Sequence, residues 1–329
     1  MESIPIKIPI RATKTPCSTL LCTSLACRRR SFYTESSQKP SENNLSQLKN
    51  TRAHFKSKSE RSKRYHSQNT IPMISASSYC VLEQSTNKVL HGFNDIQIRE
   101  VASLTKIMTC ILCLNVISFN QMSLDRKIIV STRAANTNGT TAGLRSGDTL
   151  TLRDLLYGLM LPSGNDAAVI LAEYFGDFLY PNCIKPVKKF VFEMNKVAVE
   201  VGMSSSHFAN PHGLMHKKNL ACARDIGKLA CYALRDRIFK EIVNCKSHIA
   251  EIRGKDGLIR YSNWKNTNKL LGKGFNGVKT GVTLTAGPCL CASVNKEQSL
   301  VIVLLNSKSM EDRWIDAKKL TDWALSKFY

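Results

Sequence analysis

Hydrophobic and polar positions alternate near both ends of the folded part of the chain and recur at helical spacing through its middle. Residues 74–83 (Ile-Ser-Ala-Ser-Ser-Tyr-Cys-Val-Leu-Glu) predict a strand, with Asn87-Lys88-Val89-Leu90 as its hairpin partner. From Ser103 onward, Ile107, Met108, Ile111, Leu112, Leu114 and Val116 predict a buried helix that begins near the serine. Helices are predicted over 149–161, stopped by Pro162, and over 166–175, 187–202 and 223–234, with Asn210-Pro-His-Gly-Leu214 as a turn. Beyond Ser247 the period changes to strands over 247–253, 277–283, 287–294 and 300–307, and a helix over 313–328 closes the chain. Strands at both ends with helices between them predict a mixed α/β (α+β) class. The expected form is an antiparallel sheet assembled from distant segments, flanked by helices and carrying a helical insertion.

Composition divides this pattern in two. Residues 1–72 hold 14 Lys+Arg against 4 Asp+Glu, are rich in Ser, Thr and Asn, and show no sustained apolar period. We therefore expect a disordered basic tail over 1–71 and one catalytic-sized domain over 72–329. Within the tail, residues 16–27 make a poor secretory core that runs straight into Arg28-Arg29-Arg30. The Arg- and Ser-rich, acid-poor setting suits an organelle transit peptide better, with a non-targeting tail as the alternative, so location stays open. The net charge of +22 is spread over tail and domain without an aromatic-interleaved patch, which argues against a nucleic-acid partner. No stretch is expected to reach the eighteen or so apolar residues of a membrane span. The twelve cysteines, Cys110-x-x-Cys113 and Cys289-x-Cys291 among them, form no metal-spaced framework, and neither a metal nor another cofactor is expected.

Three short strings then change the picture from fold to chemistry. Ser103-Leu-Thr-Lys106 offers a hydroxyl nucleophile with an amine one helical turn later on the same face. Such an amine is a base only when neutral, which burial and a second cation both favour, and Lys279 is the candidate cation. Ser163-Gly-Asn165, in a tight loop between apolar helices, adds a hydroxyl for proton relay and a carboxamide to hold substrate. Lys279-Thr280-Gly281, on a strand expected at the edge of a cleft, supplies a cation and hydroxyl for a terminal carboxylate, and a glycine that admits close approach. The backbone amides of Ser103 and Val282 then make an oxyanion hole. His212 invites a Ser-His pairing, but its place in a turn assigns it to structure.

With these residues in hand, the chain resembles the serine-type D-Ala-D-Ala carboxypeptidases, the low-molecular-mass penicillin-binding proteins of peptidase family S11. The likeness runs through Ala102-Ser-Leu-Thr-Lys-Ile-Met-Thr109, Leu155-Leu-Tyr-Gly-Leu-Met-Leu-Pro-Ser-Gly-Asn-Asp-Ala-Ala168, Asn210-Pro-His-Gly-Leu214 and Gly277-Val-Lys-Thr-Gly-Val-Thr283. The resemblance implies a β-lactamase/transpeptidase-like fold, with the cleft between the sheet and an all-helical subdomain. It also implies removal of the terminal D-alanine from peptidoglycan stem peptides through an acyl-serine, with β-lactams as inhibitors. Carried over, Ser103 is nucleophile, Lys106 base and Ser163 relay, Asn165 binds substrate, and Lys279, Thr280 and Gly281 form the carboxylate side. The chain departs from the family in having Ala221-Cys-Ala223 where Ser-Thr-Ala is common. It is also expected to lack the second β-rich domain and the C-terminal amphipathic anchor of many members. Two rival functions follow. A class A β-lactamase would need a deacylating glutamate, but no Glu-x-x-Leu-Asn string stands between Ser163 and Lys279, and the nearest candidates, Glu193 and Glu200, lie on a helix with surface spacing. An inactive peptidoglycan-binding domain would have no reason to keep Lys106.

Overall fold

The structure is a computed structural model that describes residues 70–295 and 298–329, so nearly all of the expected 1–71 tail lies outside the described residues. Two antiparallel sheets are present where one was expected. The larger has the order β2-β1-β9-β8-β7, joining β1 (Ser78–Glu83) and β2 (Val89–Phe93) to β7 (Phe275–Thr283), β8 (Gly287–Asn295) and β9 (Ser299–Leu305). The first strand therefore pairs with the last, Cys80 facing Val303 and Leu82 facing Val301, as strands at both chain ends predict. The smaller sheet, β3-β4-β5-β6, is built from Lys127–Ile129, Thr149–Thr151, Ser247–Arg253 and Ile259–Lys265. Of its strands only β5 is expected from the sequence, and it pairs here rather than with the main sheet. The smaller sheet also corrects one boundary: residues 149–151, expected to begin a helix, form β4.

Helices fill the middle of the chain: α1 (Thr105–Phe119), α2 (Thr132–Ala135), α3 (Leu152–Met160), α4 (Asn165–Leu179), α5 (Pro186–Val201), α6 (Ala223–Ala233), α7 (Arg237–Asn244) and the closing α8 (Asp312–Phe328). Their ends follow local chemistry. Thr151 Oγ1 caps α3 by accepting from the Asp154 N–H, and Asp236 caps α7 through the Phe239 N–H at 2.8 Å. Pro186 opens α5, and Gly202, at φ +81°, ends it in the left-handed region where a side chain is disfavoured. On one face of the main sheet, Tyr79, Val81, Leu290, Ile302 and Leu304 pack against Trp314, Leu320 and Trp323 of α8.

α1 is buried on nearly every side, with the run Ile107 to Leu114 wholly inside. Contrary to the sequence expectation, the stretch Ala102–Phe119 is long and apolar enough to cross a membrane, yet 78% of it is buried inside the fold. The 3₁₀ turn that opens this stretch carries Ser103.

Candidate active site

Ser103 sits in a single 3₁₀ turn, Ala102–Leu104, that leads directly into α1. Ala102 takes φ +48°, an uncommon conformation for a residue with a Cβ, and Ser103 follows it as the half-buried member of an otherwise buried run. Two glycines let neighbouring segments close on this turn. A Cβ on Gly281 of β7 would lie 3.0 Å from the Ser103 nitrogen and 3.1 Å from the Val101 oxygen. A Cβ on Gly213 would lie 2.0 Å from the Ala102 oxygen. Backbone from β7 and from the 210–214 turn thus flanks the serine on two sides.

Lys106 lies one turn later, fully buried at 0% exposure, with three neighbours around its amine. Ser103 Oγ is at 3.0 Å, Asn165 Oδ1 at 2.6 Å and the His212 carbonyl at 2.7 Å. The Asn165 Nδ2 donates to the Asn138 carbonyl at 2.7 Å, which fixes the amide so that its oxygen faces Lys106. Burial first, and Lys279 second, hold the Lys106 amine well below the usual lysine range, partly offset by Asp166. A neutral amine has two N–H donors and one lone pair. Asn165 Oδ1 and His212 O are acceptors only, so they take both donors, and the lone pair is left for the proton of Ser103 Oγ. The same three oxygens can also accept from the charged amine, with Lys106 donating to Ser103 Oγ, so it is burial rather than the partners that favours the base form.

Asn165 begins α4, and both ends of its amide are engaged inside the protein. In this geometry it supports Lys106, a contact beyond the substrate binding expected of it from the sequence. Asp166, beside it, accepts from the backbone of Ala142 and Leu144 and from Thr141, which ties the 140–144 segment over the start of α4. Ser163, just before, holds φ +66° and is only 4% exposed, yet its hydroxyl has no partner among the described residues. A buried unpaired hydroxyl is unfavourable unless something else uses it.

On the opposite wall, Lys279 is 1% exposed, and its amine donates to the Thr280 carbonyl at 3.0 Å. Burial and then the Arg313 charge push it down to about 7. Arg313, at the start of α8, is itself buried, aiming its Nη1 at the carbonyls of Gly281 (3.4 Å) and Cys289 (3.3 Å). The sequence reading passed over it, because a lone arginine opening an amphipathic helix looks like a surface residue. Thr280 Oγ1 is 2.7 Å from Thr267 Oγ1. Val282, expected to lend its amide, has a 49% exposed side chain at the rim.

His212 keeps the structural part expected of it. Its Nδ1 accepts from the Leu214 N–H at 3.1 Å, and burial, then Lys106 and Arg133, lower it to about 3. What the sequence did not show is that its carbonyl serves Lys106. Thr109 Oγ1 latches the same turn by donating to the Pro211 carbonyl at 2.6 Å. Glu193 is committed to Tyr180 and Lys196, and Glu200 is exposed on the same helix, so neither is placed as a deacylating base. Among the described residues no group of three or more His, Cys, Asp or Glu could hold a metal ion.

Comparison with known proteins shows the family. A family model described as D-alanyl-D-alanine carboxypeptidase matches residues 65–309. The chain is 33% identical over 265 residues to the D-alanyl-D-alanine carboxypeptidase of Streptomyces sp. strain K15, covering 78% of this chain and 89% of that protein. It is 30% identical over 257 residues to the D-alanyl-D-alanine carboxypeptidase DacF of Bacillus subtilis strain 168, covering 77% of this chain but 63% of DacF. Among solved structures, the Streptomyces K15 DD-transpeptidase superposes with a TM-score of 0.73 at 33% identity, over 78% of this chain and 99% of that one.

Proposed function

The chain belongs to the D-alanyl-D-alanine carboxypeptidase family, and we propose that it releases the terminal D-alanine from peptidoglycan stem peptides ending in D-Ala-D-Ala, through an acyl-serine. The observation that carries this reading is the Lys106 amine, buried, held well below its usual range and 3.0 Å from Ser103 Oγ. The stem peptide lies along β7, with its terminal carboxylate on Lys279 and Thr280. Ser103 Oγ attacks the penultimate D-alanine carbonyl while Lys106 takes the hydroxyl proton. The carbonyl oxygen gathers charge between the amides of Ser103 and Val282, where donors in place before reaction are worth a few kcal/mol. Ser163 passes the proton to the departing amine, the C–N bond breaks, and D-alanine leaves. Water then enters, Lys106 takes its proton, and the ester opens to regenerate Ser103. Penicillins acylate the same serine. The catalytic unit is residues 72–329, and Ala102–Phe119 belongs to its core instead of crossing a membrane.

Release of D-alanine from diacetyl-Lys-D-Ala-D-Ala by the full chain, lost in Ser103→Ala, tests the proposal. No release from the folded parent would overturn it. Nitrocefin turnover without a lasting adduct would favour the β-lactamase reading.

The two lysines also predict a pH dependence. The carboxylate anchor needs Lys279 protonated, so kcat/KM for this peptide should fall as pH rises through about 7. Replacing Arg313 by Gln keeps side-chain donors near Gly281 and Cys289 but removes the charge that, after burial, depresses Lys279. The falling limb should therefore move to higher pH, and an unmoved limb would show that Arg313 does not set it.

A further inference from the structure

One tripeptide, between β6 and β7, is fastened at every residue. In Asn266-Thr267-Asn268, Asn266 Nδ2 donates to the carbonyls of Val243 and Cys245 at the end of α7, at 3.2 and 3.0 Å. Asn268, buried, donates to the Gly277 carbonyl at 2.9 Å, and its Oδ1 accepts from the Leu270 N–H. Between them the Thr267 N–H donates to the Leu161 carbonyl at 3.2 Å, two residues before Ser163. The Thr267 hydroxyl meets Thr280 Oγ1 at 2.7 Å. Thr267 therefore joins the two walls of the cleft, its backbone to the Ser163 side and its side chain to the Lys279 side.

We infer that Thr267 is a positioning residue, whose hydroxyl aims the Thr280 proton at the substrate's terminal carboxylate. The inference rests on the carboxypeptidase reading above, because it needs a carboxylate beside Thr280. A carboxylate has only acceptors, so Thr280 must donate to it and can take a hydrogen bond only on its own oxygen. Thr267 is the hydroxyl placed to give that bond. The chain then runs Thr267 O–H to Thr280 Oγ, and Thr280 O–H to carboxylate, each link polarising the next. Without Thr267, Thr280 keeps its hydroxyl but loses the partner that selects its direction.

The test compares full-length parent, Thr267→Val, Thr267→Ser, Thr280→Val and the Thr267→Val/Thr280→Val double variant on diacetyl-Lys-D-Ala-D-Ala and on the same peptide ending in D-alaninamide. Loss of one such hydrogen bond corresponds to about a tenfold drop in kcat/KM for Thr267→Val on the free acid. Thr267→Ser should stay within about twofold of the parent, and the double variant should be no worse than Thr280→Val. On the amide, whose neutral carbonyl accepts more weakly than a carboxylate, Thr267→Val should lose clearly less than on the acid. Equal losses on acid and amide, multiplying losses in the double variant, or no loss in Thr267→Val would each overturn the inference. Silence of the parent enzyme itself on the free acid would instead sink the carboxypeptidase reading beneath it.

Discussion

Replacing Lys279 by methionine is expected to remove about 10²- to 10³-fold of kcat/KM for D-Ala-D-Ala peptides and at the same time to raise the melting temperature at neutral pH. Both effects come from one buried amine. Lys279 is 1% exposed, its amine's one hydrogen bond among the described residues is to the next residue's carbonyl, and burial with Arg313 lowers it to about 7. Methionine fills a similar volume, forfeits that one bond and removes a charge from between Lys106 and Arg313. Activity falls because the carboxylate loses its cation. It also falls because Lys106, relieved of its second depressing influence, holds its proton to higher pH and is a poorer base. The sign of the stability effect follows from linkage. The folded-state value near 7 lies below the ordinary 10.5, so between those values the unfolded chain binds the extra proton, and the parent gains stability as pH rises. The variant's advantage should accordingly be largest below pH 7 and shrink toward 10.5. Thermal melts at several pH values check this. A variant less stable than the parent below pH 7 would mean that the Lys279 charge is already offset in the folded protein.

Gly213→Ala is expected to be the more damaging change, although it touches no reacting atom. Gly213 stands at φ +89°, and an added Cβ would fall 2.0 Å from the Ala102 oxygen and 2.4 Å from its carbonyl carbon. Both are backbone atoms of the turn that presents Ser103, so no side chain can swing aside. The 210–214 turn must retreat, taking the His212 carbonyl from Lys106 and the Pro211 carbonyl from Thr109. A retreat of about 1 Å in such a support costs roughly 10²-fold in acylation, and the strain with the lost contacts should destabilise by about 3 kcal/mol or more. Gly202→Ala is the control. Its φ of +81° is just as unfavourable, but an added Cβ there meets nothing within 4 Å. The control should show only the conformational cost, about 1 kcal/mol, with acylation by penicillin unchanged. Equal acylation rates in the two variants would remove the packing argument.

The parts of the site that rest on long helices and strands were legible from spacing. Ser103, in the 3₁₀ turn that leads into α1, and Lys106, in the first turn of α1, come together because three residues make nearly one turn. Gly281 had to face something close, and that neighbour is the Ser103 backbone. What escaped the sequence is held by backbone atoms and short elements. The His212 and Asn138 carbonyls serve Lys106 and Asn165, and any residue type has a carbonyl. Strands β3 and β4 are three residues each, too short to show a period. In β6, Arg260 and Ser262 alternate with the exposed Ile259 and Tyr261, which inverts the usual pattern and hides the strand. α7 is only eight residues long, so the Asp236 cap and the apolar i, i+3, i+4 face of Phe239, Ile242 and Val243 run for barely two turns. Arg313 looked like a surface charge because the carbonyls that draw it inward come from β7 and β8.

The central claim is that a neutral Lys106 lets Ser103 carry the acyl group. The most direct measurement is mass spectrometry of the full chain, acid-quenched while it turns over diacetyl-Lys-D-Ala-D-Ala. The account predicts a covalent adduct of the peptide less its terminal D-alanine, mapped to Ser103 and absent in Ser103→Ala. D-alanine released while that serine stays unmodified, or an adduct on any other residue, would contradict it.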